Sequence, residues 1–294
     1  MFVIAEVYMG DISVISAIFE KMRSTEMNDW VGGSDPEAVG DASADIIRRM
    51  MPVSSESRVL DFGCGIGRGM LSLLRGGAPA KVVGMDIMPP VISFCQENIA
   101  PHFPGVSFDL IEGANDHYDQ FIGDQFRKPL TQIKQDYKNY FNIAYAFSVF
   151  THIDRKDFVD LLKLVEAMLA PGGYFLFTCF TLTEFSRKMI DHRQTIFPLA
   201  DKAYVDNGEV LWGEKSDPLA FIAFDKQLLE NMAWEAGLAI MKVEYGCWMG
   251  GNIGSSLHDL IVVRKPLPMV GQEEIVFTPV LDRNNLSSQS RSIS

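Results

Sequence analysis

Short apolar runs that suit buried strands alternate with stretches of helical period along most of the chain, a pattern that predicts a parallel α/β sheet. Ile12, Ile15, Phe19 and Met22 recur at three- and four-residue spacing and predict a helix over Ile12–Met22. Ser34-Asp35-Pro36-Glu37 combines a capping box with a first-turn proline, so a helix runs from there to about Met51. Ala42, Ile46 and Met50 give it an apolar side, and Gly40 weakens it. Arg58–Leu74, RVLDFGCGIGRGMLSLL, is the organising stretch. Val59–Phe62 reads as a buried strand, Gly63, Gly65, Gly67 and Gly69 as a turn, and Met70–Leu74 as an apolar helical face. Lys81–Asp86 is a second strand, and Val91, Phe94, Cys95, Asn98 and Ile99 form the stripe of a helix opening at Pro89-Pro90. Val106–Ile111 is a third strand, Asp119–Tyr140 a loop with a short helix, and Phe141–Phe150 the fourth strand with its exit.

Asp154 caps a helix whose stripe is Phe158, Leu161, Leu162, Val165, Met168 and Leu169. That helix stops at Pro171-Gly172-Gly173, and Tyr174–Phe180 is the fifth strand. Thr181–Pro218 interrupts the pattern with helical pieces around Glu184–Arg193 and scattered Phe197, Tyr204 and Trp212, which predicts a cap over the strand ends. Asp225 opens a helix ending at Gly237, and Ala239–Tyr245 and Leu257–Val263 are the last two strands, with glycine-rich Gly246–Gly254 between them. Trp248 in that turn reaches the active-site rim or seals the core. A short strand over Ile275–Leu281 and a polar end, Asn284–Ser294, complete the chain. The expected organisation is an N-terminal helical or lid segment (1–33), a main domain (34–265) carrying a substrate cap (181–218), and a C-terminal extension (266–294).

At 294 residues and 47% hydrophobic content the chain can bury a large core. With 26 basic against 38 acidic residues, net −12, it offers no broad electrostatic surface for nucleic acid or an anionic membrane. Cys64, Cys95, Cys179 and Cys247 lie far apart without a C-x-x-C pair, which favours reduced, buried thiols in a cytoplasmic protein over disulfides or a metal site. The hydrophobic N-terminus lacks the basic start of a signal peptide, and no run is long enough to span a bilayer. The first helix packs on the domain or on a second copy, leaving a homodimer open.

Glycines at alternate positions let the backbone take positive φ and approach a ligand, while the helix start behind them offers unpaired N–H groups to a carboxylate or phosphate. A dinucleotide fingerprint needs a glycine at the sixth position. From Gly63 that position is Arg68 and from Gly65 it is Met70, so neither register fits a nicotinamide-dependent oxidoreductase. Asp61, two places before the first glycine, sits where an ammonium could be held above the turn. Asp86 lies close to the interval at which nucleotide-binding sheets place a carboxylate on ribose hydroxyls, although capping the next helix is the competing role. Ser148–His152 follow the fourth strand, where open parallel sheets gather ligands. His152 is the best general base in the chain, against the alternative of a structural histidine bonded to backbone.

The turn resembles the D-x-G-x-G-x-G motif of class I S-adenosylmethionine-dependent methyltransferases. SVFTHI, the LAPGG turn and the VGG of Val31–Gly33 are similar to segments of a bacterial small-molecule and glycan-type subgroup. The resemblance covers roughly Gly32 to Lys265. It implies a doubly wound, mostly parallel seven-stranded Rossmann-like sheet with a final antiparallel strand and a helical cap insertion. It also implies S-adenosyl-L-methionine as cofactor, with its amino-acid end at Asp61, Gly63, Cys64, Gly65, Gly67 and Arg68, its ribose at Asp86, and its adenine near Ile87, Glu112 and Gly113. Phe147, Ser148 and the catalytic candidate His152 would face the reaction site. The implied reaction is methyl transfer by in-line displacement to a hydroxyl of a small molecule or sugar. N-methylation of a small amine and a non-catalytic cofactor-binding module are the alternatives.

Overall fold

A computed structural model describes residues 7–77, 79–113, 127–199, 201–250, 254 and 256–268. The expected strand over Ile275–Leu281 and the polar chain end lie outside the described residues, as do the first six residues. Helices α1 (Val7–Arg23), α2 (Met27–Trp30) and α3 (Pro36–Met50) precede strand β1 (Arg58–Phe62). Then come α4 (Arg68–Arg75), β2 (Lys81–Asp86), α5 (Pro89–Asn98), β3 (Val106–Leu110), α6 (Leu130–Asp136) and β4 (Phe141–Ala146). They are followed by α7 (Arg155–Met168), β5 (Leu169–Cys179), β6 (Thr181–Leu182), α8 (Glu184–Asp191), β7 (Ala203–Val205), β8 (Val210–Trp212) and β9 (Ile222–Asp225). Helix α9 (Lys226–Glu235) and strands β10 (Ala239–Glu244) and β11 (Asp259–Arg264) complete the order.

Seven strands form one sheet in the order β10-β11-β5-β4-β1-β2-β3. β3, β2, β1, β4 and β5 pair in parallel, while β11 runs antiparallel between β5 and β10. The chain leaves β1 toward β2 and β3 and returns to β4 on the other side of β1, which opens a crevice at the carboxyl ends of β1, β2 and β4. Both sheet faces are covered, so the strands are continuous apolar runs buried in two clusters, one under α6, α7 and α9 and one under α1, α3, α4 and α5.

Several local expectations change. Asp35, not Ser34, caps α3, accepting from Ala38 N at 2.9 Å. Ala42 is exposed, because Ala44, Ile46, Ile47 and Met50 form the inward side of α3. Gly40 is where α3 meets α4: a Cβ there would lie 2.5 Å from the Arg68 carbonyl oxygen, so this glycine serves close helix packing. α7 ends at Met168 and Pro171–Gly173 fall inside β5. The register jumps from Phe141 opposite Leu169 to Ile143 opposite Tyr174, so the residues between form an irregular bulge. The interruption after β5 also contains more than helical pieces. It builds a second, four-stranded sheet, β6-β9-β8-β7, which draws in β9 beyond Pro218. Phe180, Leu182, Ile190, Leu211, Phe221, Ala223, Trp248 and Met249 form the buried core of this cap. Trp248 is 0% exposed and therefore seals that core and does not reach a rim.

Candidate active site

Strand β1 delivers Asp61 to the crevice and then turns sharply. Gly63, Gly65 and Gly67 carry φ of 74°, 52° and 83°, a region that side chains disfavour. The turn is tied to β2 through its backbone. Gly63 N and Cys64 N donate to the Met85 carbonyl at 2.8 and 3.0 Å, and Gly65 N donates to Asp86 Oδ2 at 2.9 Å. Asp86 Oδ1 accepts from Met88 N at 2.9 Å, so this carboxylate braces the turn and caps the entry to α5 at once. Burial raises its pKa, against the N–H groups of Met88, Gly65 and Ile87. Its remaining lone-pair capacity is what a ribose diol could use.

Asp61 is 5% exposed and receives one hydrogen bond, from Tyr145 Oη at 2.8 Å. Burial drives its pKa up to about 7, the Tyr145 bond opposes this, and the nearby Asp86 charge adds to it. No ion pair to Asp61 is found among the described residues. A buried carboxylate lacking a counter-ion fits a ligand ammonium, which would restore its ionised form. Tyr145 escaped the sequence reading. Its signal was a polar-tipped aromatic in an apolar strand, and in the sheet it stands directly opposite Asp61.

Arg68 does not point at the crevice as a carboxylate receptor. Its guanidinium donates to the carbonyls of Gly33 (2.9 Å) and Val31, more than thirty residues earlier in the chain. These bonds draw the segment after α2 across the turn. A Cβ on Gly65 would lie 3.0 Å from Val31 Cγ1, and one on Gly63 would lie 2.3 Å from Val149 Cγ2. Val31 and Val149 therefore flank the turn from opposite sides. Cys64 and Cys95, distant in sequence, both direct their thiols at the Gly65 carbonyl, at 3.6 and 3.4 Å. Cys95 and burial push the Cys64 thiol well above its ordinary pKa, which makes it an inert packing group.

Ile87 is half-buried and packs on Gly113, where a Cβ would come within 2.5 Å of Ile87 Cγ2. Glu112 turns its exposed carboxylate to the start of α6, accepting from Leu130 N at 3.3 Å, while its own N–H donates to the Lys128 carbonyl. The side chain of Glu112 is thus committed to α6, and only its backbone faces the strand end.

Beyond β4, Phe147 packs at 5.8 Å on Tyr145, and exposed Ser148 takes φ 56° with its N–H bound to Thr178 Oγ1 at 2.7 Å. This left-handed residue redirects the chain toward the cap. His152 Nδ1 lies 2.9 Å from the Leu219 carbonyl. A carbonyl only accepts, so Nδ1 carries a proton in this arrangement, and when the ring is neutral the basic nitrogen is Nε2. His258, at the head of β11, was not singled out by the sequence because it follows no motif. Its ring stands 5.1 Å from Phe180, and burial followed by the His152 charge lowers its pKa to about 4. The crevice thus has two sides: Asp61, the turn and Asp86 on one, and Ser148, His152, His258 and the cap on the other. Two cavities of about 810 and 500 Å³ lie elsewhere, one beside Lys134, Lys138 and Lys265 at the amino edge of the sheet, the other between α7 and β8.

The methyltransferase-domain family matches residues 37–243, more than two thirds of the chain. A probable phthiotriol/phenolphthiotriol dimycocerosates methyltransferase of Mycobacterium ulcerans is 29% identical over 127 residues, 42% of this chain and 39% of its own length. A sterol 4-C-methyltransferase of Caenorhabditis elegans is 23% identical over 202 residues, 65% of this chain and 54% of its own length. The chain therefore spans about two fifths to a half of these curated relatives. Among solved structures, a putative methyltransferase of Haloferax volcanii, determined with the activator Trm112, superposes with a TM-score of 0.50 at 12% identity, covering 84% of this chain and 97% of that one; this likeness is of fold alone. No helix among the described residues is long and apolar enough to cross a membrane. With the family match spanning the turn, the crevice and both flanking sheet halves, the chain belongs to the methyltransferase-domain family, in the class I, S-adenosylmethionine-dependent group whose turn motif it carries.

Proposed function

We propose that this protein transfers a methyl group from S-adenosylmethionine to a hydroxyl oxygen of a small molecule or sugar. When bound, the cofactor supplies an electrophilic methyl carbon on a sulfonium sulfur. Asp61 holds the ammonium of the cofactor's amino-acid end, and ionises fully as it does so. Asp86 offers its remaining lone pairs to the ribose hydroxyls while keeping the turn braced. The acceptor enters on the His152 side, beneath the cap.

The observation that carries the hydroxyl reading is the His152–Leu219 bond. It fixes the tautomer in which Nε2 accepts a proton, and a hydroxyl becomes a competent nucleophile only as its proton leaves. An amine that arrives uncharged needs no such base, so the fixed tautomer favours oxygen over nitrogen. The relatives' names cover different acceptors, a phthiotriol in one and a sterol carbon in the other, and do not narrow the choice. Incubation with methyl-labelled cofactor and paired hydroxyl and amine acceptors tests the reading. Label is expected on the hydroxylated member, and His152→Ala should lower kcat by about a hundredfold or more with S-adenosylhomocysteine affinity unchanged. Turnover unaltered by that substitution would remove His152 as base, and label appearing on amines alone would establish the N-methyl alternative.

A further inference from the structure

Arg68 is half-buried at the start of α4, yet no carboxylate pairs with it among the described residues; its partners are the carbonyls of Val31 and Gly33. A half-buried guanidinium spent on two carbonyl dipoles adds a side-chain tie to a loop whose own bonds are local, Gly33 N to the Asn28 carbonyl at 2.8 Å and Gly32 N to the Asp29 carbonyl at 3.3 Å. Gly32, Gly33 and Ser34 take φ of 97°, 63° and 65° in succession, and Ser34 has a side chain that resists that region. Asn28, 8% exposed, donates Nδ2 to the Ser34 carbonyl at 2.9 Å, but its Oδ1 is buried without a partner. The closed segment thus carries backbone strain and an orphaned acceptor, and Arg68 pulls against both. The same segment places Val31 against Gly65, over the turn that receives the amino-acid end of the ligand.

We propose that Arg68 is a positioning residue that retains the methyl donor indirectly: it latches the Val31–Gly33 strap over the glycine turn, and release of that strap sets how fast donor and product leave. The proposal rests on the cofactor reading given above. Three consecutive left-handed residues between α2 and α3 supply the hinge, because a small change at Gly32 and Gly33 swings Val31 without disturbing Asp35, which caps α3. A strap strained at Ser34, whose tie to α4 is the Arg68 side chain, shifts its population when that tie is changed.

The test uses the full chain and S-adenosylhomocysteine as probe, with dissociation followed by stopped flow and strap amides followed by hydrogen exchange. Arg68→Gln should raise the dissociation rate at least tenfold, leave association equal or faster, and speed exchange of the Val31–Ser34 amides by a similar factor before any ligand is added. Arg68→Lys, which can hold one carbonyl, should fall between. Val31→Ala keeps the latch and removes only the contact over Gly65, so it should raise dissociation severalfold with strap exchange unchanged; this variant carries the test if Arg68→Gln does not fold. Faster strap exchange with an unchanged dissociation rate overturns the proposal. In Arg68→Gln, faster dissociation with unchanged strap exchange also overturns it, since Arg68 would then touch the ligand itself; in Val31→Ala, an unchanged dissociation rate overturns it. Wild-type protein that fails to bind S-adenosylhomocysteine would overturn the cofactor reading instead, a result visible before any variant is made.

Discussion

Asp61 and Asp259 are buried carboxylates at the same carboxyl edge of the sheet, and each has its pKa raised by burial, to about 7 and about 6. Asp259 is surrounded by donors. Its Oδ1 accepts from Gly246 N at 2.6 Å, its Oδ2 from Thr181 N at 2.7 Å, and Trp248 Nε1 reaches both oxygens at 3.1 Å. Among the described residues Asp61 accepts from Tyr145. One acid is a finished junction between β11, the cap and the turn after β10; the other is a buried carboxylate facing the crevice with no ion pair among the described residues. Buried charges are normally paired, so a buried carboxylate with no ion pair among the described residues marks Asp61 as the place on this edge where a cation can bind. The cap half is tied to the sheet through its own chain, with Ile222 N donating to the Thr151 carbonyl and His152 Nδ1 beside the Leu219 carbonyl.

The widest separation of the two acids comes from removing each. Asp259→Ala should cost on the order of 4 kcal/mol of stability, because three buried N–H groups lose their acceptor together, and urea unfolding would show it. A loss below about 1 kcal/mol would place Asp259 with Asp61 as an under-used group. Asp61→Asn should behave in the opposite sense. Folding stability should hold or rise, since an uncompensated buried acid has been neutralised, while S-adenosylhomocysteine affinity falls by about 1.5–3 kcal/mol, roughly 10- to 150-fold. Calorimetric titration of both variants would separate the two roles, and an Asp61→Asn protein that binds normally would sink the ammonium site.

The same asymmetry has a pH signature. Asp61 titrates near 7 in the folded chain against an ordinary value of 3.8, so the folded state keeps a proton that the unfolded chain gives up. Its contribution to stability is therefore full below pH 3.8 and is lost as pH rises through 7. An ammonium partner reverses the preference and favours the carboxylate. Binding of S-adenosylhomocysteine should accordingly weaken as pH falls below 7 and release up to about one proton at pH 6. Titrations in buffers of different protonation enthalpy measure that proton, and Asp61→Asn should abolish it. Release that persists in the variant would assign the proton to another group.

The glycine turn was legible because its requirements are local: positive φ, a missing Cβ and a strand-to-helix change all lie within one stretch of chain. The mostly parallel seven-stranded sheet and its antiparallel last strand followed from the resemblance that turn carries. What sequence could not disclose depended on contacts between distant segments. The partner of Asp61 is Tyr145, that of Arg68 lies before α3, and Asp259 draws its donors from the start of β6 and the turn after β10. The cap was misread as helical pieces because β7, β8 and β9 are three or four residues each, too short for a two-residue alternation to register. Gly40 was read as a weakness of α3 because its role exists only once α4 lies against it.

The smallest expected effect probes the strap. Ser34 holds φ 65°, where a side chain is strained by about 1–2 kcal/mol relative to glycine, while glycine loses about 0.5–1 kcal/mol more on being ordered. Ser34→Gly should therefore stabilise the protein by about 0.5 kcal/mol, the net of those opposing effects, and a urea midpoint shifted upward at constant slope would report it. Because the relief is felt only when the strap is closed, the variant should also slow S-adenosylhomocysteine dissociation slightly, opposite in sign to Arg68→Gln. Stabilisation without slower dissociation would place the strain outside the strap's motion. A loss of stability would mean that the Ser34 hydroxyl contributes more than its backbone costs, and the strap would then rest closed by its own preference, with Arg68 an adornment to it.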